Sequence, residues 1–335
     1  MIVDFQHHFT PRELIREDPG DRLILSYDGL GAPSYTVHSL LYDLDEHVRM
    51  MDLAGIDVAW LTSAAGMCAD LATSKLVNDK ARKAERDYPG RFIGAAHAHP
   101  LGGADALREL NRCRYELGFQ GVTITSEFDG QWLDAPQLEP FWAEVCKLGM
   151  FVFVHPALKL NQAQQFDAYD TARAVGREFS LIMAAIRLVN SGLFDRHPEL
   201  TVHMAHLAGG IASMLARIRS FQDKEFWGTA GNARHGAKGD KDIDYYIRHN
   251  LVFDTAGFAG GIGAVKAGLC EIPASRIVFA TDYPQEIRKR EVVRDFVKEI
   301  RSLGSDGERI LSGNVGLLLK EPPAAAKRRI EEPTR

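Results

Sequence analysis

Eight short apolar runs, each followed by a stretch long enough for a helix, set the strongest limit on how this 335-residue chain can fold. The runs fall at residues 2–5, 58–62, 92–96, 121–125, 151–154, 201–205, 251–254 and 277–280. Each is nearly continuous in its apolar character rather than alternating, as in a parallel strand covered on both faces. Between them the spacing predicts helices over 45–54, 71–88, 104–117, 137–148, 171–191, 211–221, 260–268 and 288–303. Several stop near a glycine (Gly55, Gly118, Gly149, Gly192, Gly268, Gly304), the residue that a left-handed helix end favours. Strand then helix, eight times over, predicts the α/β class and a (β/α)8 TIM barrel. An open doubly wound sheet is the rival architecture, and it ranks second because no glycine-rich dinucleotide loop follows the first run.

Two stretches break the alternation. Residues 9–44 contain Asp18-Pro19-Gly20-Asp21 and Gly29-Leu30-Gly31-Ala32-Pro33, both turn-forming, and follow the first strand directly. They are expected to form a cap over the barrel mouth. Residues 226–244 are rich in Gly, Lys and Asp and predict a mobile loop, expected at the same catalytic face. One domain over 1–320 and a flexible tail over 321–335 account for the whole chain. The tail's Lys327-Arg328-Arg329 run reads as a solvated end rather than a targeting signal.

A hydrophobic content of 45% is enough for a large core. A net charge of −5 argues against nucleic-acid binding, which wants a basic face. No apolar run reaches membrane-spanning length, and no signal peptide is expected at the N-terminus. Cys68, Cys113, Cys146 and Cys270 are dispersed without a CxxC pair, so reduced thiols in a cytoplasmic protein are expected.

Chemistry-bearing residues gather where the apolar runs stop: Asp4-Phe5-Gln6-His7-His8, Val154-His155-Pro156, His203-Met204-Ala205-His206 and Thr281-Asp282-Tyr283-Pro284. A parallel barrel brings the C-terminal ends of distant strands together, so these segments predict a mononuclear metal site. Strand alternation puts Asp4, Gln6 and His8 on one face and Phe5 and His7 on the other. His8 is therefore a ligand candidate, and His7 is expected to pack or hydrogen-bond outside. His155 ends its strand before Pro156. Asp282 ends the last strand, where a bare carboxylate would be costly to bury. Imidazoles with a carboxylate suit Zn²⁺, Mn²⁺ or Fe²⁺. His206 is read as a proton donor or acceptor beside the metal, with ligation as the alternative. His97 and His99 are expected to line the pocket. Asp254 and Tyr35 are weaker pocket residues, and Phe128 and Trp132 read as a packed loop before an aromatic platform.

Taken as a set, these segments resemble the amidohydrolase superfamily, in particular its aminocarboxymuconate-semialdehyde decarboxylase-like branch. Supporting stretches are Arg49 to Gly55, Phe151 to Pro156, Ala205 to Gly210, Phe253-Asp254-Thr255 and Thr281 to Pro284. The resemblance implies His8, His155 and Asp282 as metal ligands, with His206 and Asp282 as the catalytic pair. It implies Arg217 as a substrate-carboxylate ligand across a homodimer interface, an ordinary surface arginine being the alternative. Gln6 departs from the family pattern, which has His or Glu there. Its amide ligates the one divalent ion weakly, or hydrogen-bonds a bound water, or marks a site of low metal affinity.

The resulting expectation is a metal-dependent non-oxidative decarboxylase of an aromatic or unsaturated carboxylic acid. His99, Tyr35, Asp254 and Arg217 would be the substrate-binding residues, with Zn or Mn (Fe as a third choice) as the cofactor. The rivals are a metal-dependent hydrolase of a lactone, ester or amide, and a catalytically silent barrel serving as a partner subunit.

Overall fold

The computed structural model describes residues 1–27, 31, 33–166, 168–232 and 234–321. The Lys327-Arg328-Arg329 run and most of the Gly29 to Pro33 turn lie outside those residues. Eight parallel strands close into a ring. They are β1 (Val3–His8), β2 (Val58–Thr62), β3 (Phe92–Gly94 continued by Ala96–His97), β4 (Gly121–Thr125), β5 (Phe151–His155), β6 (Val202–Met204), β7 (Leu251–Asp254) and β8 (Ile277–Val278). Each pairs in parallel with the next, β3 reaching β2 through its first piece and β4 through its second. The irregular chain beyond β8 seals the ring against β1. Phe5 N–H donates to Phe279 O (3.0 Å), Asp282 N–H to Gln6 O (2.9 Å) and His8 N–H to Tyr283 O (2.7 Å).

Helices cover the outside, each with its apolar stripe turned inward. In Arg290–Arg301 the buried residues are Val293, Phe296, Val297 and Ile300, the spacing of one helical face. In Leu44–Ala54 the Asp43 carboxylate accepts from Glu46 N–H at the start, and Gly55 closes the end at φ 74°. The barrel interior is filled, not hollow. The Trp60 ring lies 5.1 Å from Phe151 and 5.4 Å from Phe153, and Phe153 lies 4.6 Å from His203. A packed interior leaves the strand ends as the place where polar side chains can converge.

Three expectations are corrected by the structure. Strict alternation fails in β1, because the register shifts between Asp4 and His7. Asp4 Oδ2 instead accepts from His7 Nδ1–H at 2.8 Å, so Asp4 does not share the face of Gln6 and His8. His7 in turn meets His47 of the first helix at 2.9 Å, outside the barrel. Secondly, residues 226–244 sit at the opposite rim from the strand ends. Lys238 N–H donates to Asn190 O (2.7 Å), at the last residue of helix Arg177–Asn190, and Asp240 N–H donates to Asp195 (2.9 Å). A segment leading from a helix into β7 has to start at the N-terminal rim. Thirdly, the expected helix over 171–191 begins as a π-helical turn, Ala172–Gly176, before Arg177–Asn190.

Asp4 also ties the two ends of the ring together. It is fully buried and accepts from Thr281 N–H (3.0 Å) and Thr281 Oγ1–H (2.6 Å) as well as from His7. Asp4→Ala strands these buried donors at once and is expected to destabilise the fold by about 3–5 kcal/mol. Urea unfolding followed by tryptophan fluorescence checks it, and an unchanged midpoint refutes it.

Candidate metal centre

The bulge in β1 leaves His8 at the mouth, where its ring is fixed from behind. Its Nδ1 lies 2.7 Å from Thr62 Oγ1, whose own hydroxyl is 3.4 Å from His7 O. His8 Nδ1–H donating to this oxygen leaves Nε2 with a free lone pair. His155, at the end of β5, is held the same way, with Nδ1–H donating to Pro156 O at 2.8 Å. Burial pushes the His155 imidazole well below its ordinary pKa, so it stays neutral. Asp282 takes a left-handed backbone (φ 55°) just beyond β8 and turns its carboxylate toward both rings. Burial opposes its charge, but the contact with His206 lowers its pKa below the usual carboxylate range.

One ligand atom from each of His8, His155 and Asp282 lies within 4.8 Å of the others. His8 Nε2 and Asp282 Oδ1 are 2.7 Å apart, yet Oδ1 makes no hydrogen bond. With the His8 proton on Nδ1, two lone pairs face each other at that distance, an arrangement that a cation between them stabilises. Two neutral imidazoles and a carboxylate at a rim of parallel strands form a site suited to one divalent metal ion.

His206 stands beside this cluster on strained backbone. His206, Leu207, Ala208, Gly209 and Gly210 all have positive φ, between 50° and 75°. For the non-glycine residues such a turn costs about 1–2 kcal/mol each, so surrounding contacts must impose it. Asp254, fully buried at the end of β7, supplies one: its Oδ1 accepts from His206 N–H (2.8 Å) and Oδ2 from His203 Nε2–H (2.8 Å). Gly209 supplies another, since a Cβ there would sit 2.0 Å from Glu178 O. The Glu178 carboxylate accepts from His206 Nδ1–H at 2.9 Å, and Nε2 lies 3.7 Å from Asp282 Oδ2. Burial alone would lower the His206 pKa, but Glu178 and Asp282 raise it well above the ordinary value.

Gln6 is where the strand expectation placed it, with its amide nitrogen 3.1 Å from His206 Nε2 and 3.5 Å from His8 Nε2, and with Oε1 buried and unpartnered. A protonated His206 donates, so the amide oxygen belongs at this contact and the amide is better turned by 180°. That orientation sets a neutral oxygen beside the metal cluster. Gln6→Glu would put a full negative charge there and is expected to tighten Mn²⁺ binding by about tenfold or more. Competition with a fluorescent chelator measures this, and unchanged or weaker binding refutes it.

The cluster opens into a cavity of about 410 Å³ that His8, His155, His206 and Asp282 share with Tyr35. Of the other expected substrate-binding residues, three lie elsewhere. His99 pairs with Asp129 (3.2 Å) over a separate depression, because the chain has already turned into its loop. Asp254 lies behind His206 rather than in the cavity. Arg217 is exposed on helix Leu215–Phe221, 4.8 Å over the Phe221 ring. His97 is a buried structural residue: Nε2 accepts from Ser63 N–H (3.0 Å), and burial pushes its pKa down to about 3. Phe128 packs against His99 (5.5 Å) and Trp132 lies under Arg187 (5.5 Å), so both belong to a packed loop. Glu178 was missed by sequence reasoning. A glutamate within a helical stretch has no local signature, and only the barrel brings it to a histidine 28 residues away.

A closed (β/α)8 barrel with His-His-Asp donors on three strand ends and a carboxylate-held histidine beside them defines a metal-dependent barrel of the amidohydrolase class. The chain belongs to the amidohydrolase family, whose model matches residues 3–330. Among its relatives, the γ-resorcylate decarboxylase of Rhizobium radiobacter is 33% identical over 266 residues, covering 74% of this chain and 79% of that one. The solved 2,6-dihydroxybenzoate decarboxylase from Rhizobium superimposes with a TM-score of 0.77 at 26% identity, over 95% of this chain and 98% of that one. A dihydroxybenzoic acid decarboxylase from Polaromonas sp. JS666, solved with bound manganese and the inhibitor 2-nitroresorcinol, gives 0.76 at 25% identity, over 96% and 98%. No helix among the described residues is long and apolar enough to cross a membrane.

Proposed function

We propose that this protein is a metal-dependent, non-oxidative decarboxylase of a hydroxylated aromatic carboxylic acid. The observation that carries the proposal is the pairing of a metal-suited His8–His155–Asp282 cluster with a His206 held by the Glu178 carboxylate, in one cavity of about 410 Å³. A bound divalent ion supplies Lewis acidity and a template for a carboxylate with a neighbouring hydroxyl; manganese is the first choice, after the Polaromonas relative. Glu178 orients His206 and keeps its proton on hand. His206 Nε2 lies 3.7 Å from Asp282 Oδ2, so a shift of the Nε2–H from Gln6 toward Asp282 would let the two relay a proton to the ring carbon that bears the carboxylate. The net exchange replaces CO₂ with that proton: the carbon–carbon bond breaks, its electron pair restores the ring, and CO₂ leaves.

The test is CO₂ release by Mn-loaded protein from a panel of ortho-hydroxybenzoates, run beside ester and lactone substrates. Ester or lactone turnover without CO₂ replaces this reading with a hydrolase, and failure to retain any divalent ion replaces it with a silent barrel. We also place the protein in the cytoplasm, in keeping with four free cysteines.

A homodimer completes the proposal. Phe179 and Met183 form an exposed apolar stripe (54% and 41% exposed) on helix Arg177–Asn190. Phe179→Asp is expected to convert a dimer into monomer. Sedimentation equilibrium reads this directly, and a monomeric wild type refutes the dimer.

A further inference from the structure

The wall of the cavity facing the 9–44 segment is built from arginines that have too few acidic partners. Arg173, Arg177 and Arg288 all line the cavity, close to Ser34, Tyr35 and Thr36. Arg173 is committed to Asp170, which accepts from its Nε–H at 2.8 Å. Arg177 is not committed to any acid: its Nη2 donates to two neutral carbonyls, Ser34 O (2.8 Å) and Leu158 O (3.1 Å). Arg288 forms no ion pair among the described residues, and its Nε is buried without a hydrogen bond. Burial and the nearby charge of Arg173 lower both, Arg177 to about 10. His38, buried beside Arg288, is pushed down to about 4 and contributes no negative charge.

The cavity's own carboxylates do not fill the gap. Asp170 is held by Arg173, Glu178 by His206, and Asp282 belongs to the metal cluster. Glu286 is exposed, its carboxylate accepts from Ala259 N–H (3.0 Å), and it forms no ion pair with either arginine among the described residues. Asp170, Glu178 and Asp282 favour the Arg177 charge from a distance, but neither of these partly buried guanidinium groups has an acid in direct contact, and that is costly. An anion arriving with the ligand would relieve that cost, and a planar guanidinium binds a carboxylate through two parallel hydrogen bonds.

We propose that Arg177 and Arg288 form an anion subsite in the cavity that holds the His8–His155–Asp282 cluster, and that the substrate carries a second carboxylate there. Building on the decarboxylase reading, this makes the substrate class an aromatic dicarboxylate: one carboxylate meets the metal and is lost, and the other is held by arginine and retained. Selectivity then comes from the arginine wall, while the chemistry stays at the other end.

The test separates the subsite from the reaction. Mn-loaded full-length protein is titrated calorimetrically with benzoate and with benzene-1,3- and benzene-1,4-dicarboxylate, which lack the ortho hydroxyl. A dicarboxylate is expected to bind about tenfold or more tightly than benzoate, and Arg288→Gln to reduce that preference to about threefold or less. Arg288→Lys should keep part of it, and a melting curve for each variant checks that the fold is intact. Arg177→Gln is the second variant, with the same expected loss of preference. Equal binding of benzoate and both dicarboxylates by the wild type, or a preference untouched in folded Arg288→Gln, overturns the subsite. Dicarboxylate preference without CO₂ release from any hydroxylated analogue supports the subsite and removes the decarboxylase reading. CO₂ release from monocarboxylates without dicarboxylate preference does the reverse.

Discussion

Asp282→Asn is expected to lower CO₂ release by about 10³-fold or more, because a single carboxylate serves two purposes there. Its oxygens face His8 Nε2 at 2.7 Å and His206 Nε2 at 3.7 Å, so it belongs to both the metal cluster and the proton route. Asparagine keeps the shape but removes the charge that pairs with the cation, and an amide does not relay a proton at neutral pH. The variant is therefore expected to lose metal as well as rate. Turnover at saturating Mn²⁺, with metal content measured after gel filtration, separates the two losses. Activity within tenfold of wild type would remove Asp282 from the reaction.

Gly257→Ala is the second large effect, at a residue that would bind neither metal nor substrate. Gly257 has φ +84°, and a Cβ there would sit 2.1 Å from His206 Cγ. The ring has little room to retreat, because Glu178 holds Nδ1 and Asp254 holds the backbone N–H. A methyl group at that position displaces the imidazole by a substantial fraction of an ångström, which is expected to reduce kcat by about 10²-fold. The metal ligands are untouched, so metal content should stay at the wild-type level, in contrast to Asp282→Asn. An unchanged kcat in a folded, metal-loaded Gly257→Ala protein would show that the orientation of His206 does not matter to the rate.

Much of the barrel was legible because local pattern encodes it. The predicted limits of β4 and β7 agree with the observed strands, and those of β2 do too, since continuous apolar runs bounded by polar ends leave little freedom. The polar residues His8, His155 and Asp282 stood out for the same reason: each interrupts an apolar run where a buried charge or imidazole needs a partner. Parity arguments were weaker. They assume a regular strand, and the bulge between Asp4 and His7 together with the left-handed turn at His206–Gly210 break that assumption. Both irregularities sit at the site, where side chains must aim inward against the pleat.

From the order of its residues alone, this chain determined that it would form an eight-unit strand–helix repeat with imidazoles and a carboxylate at the strand ends, because periodicity and the cost of burying polar groups act over a few neighbouring residues. Ring closure decided which of those groups meet. Glu178 on His206, Asp254 behind it, and Arg177 and Arg288 in the cavity shared with the cluster are partnerships between segments far apart in sequence, set by barrel geometry and by no local pattern.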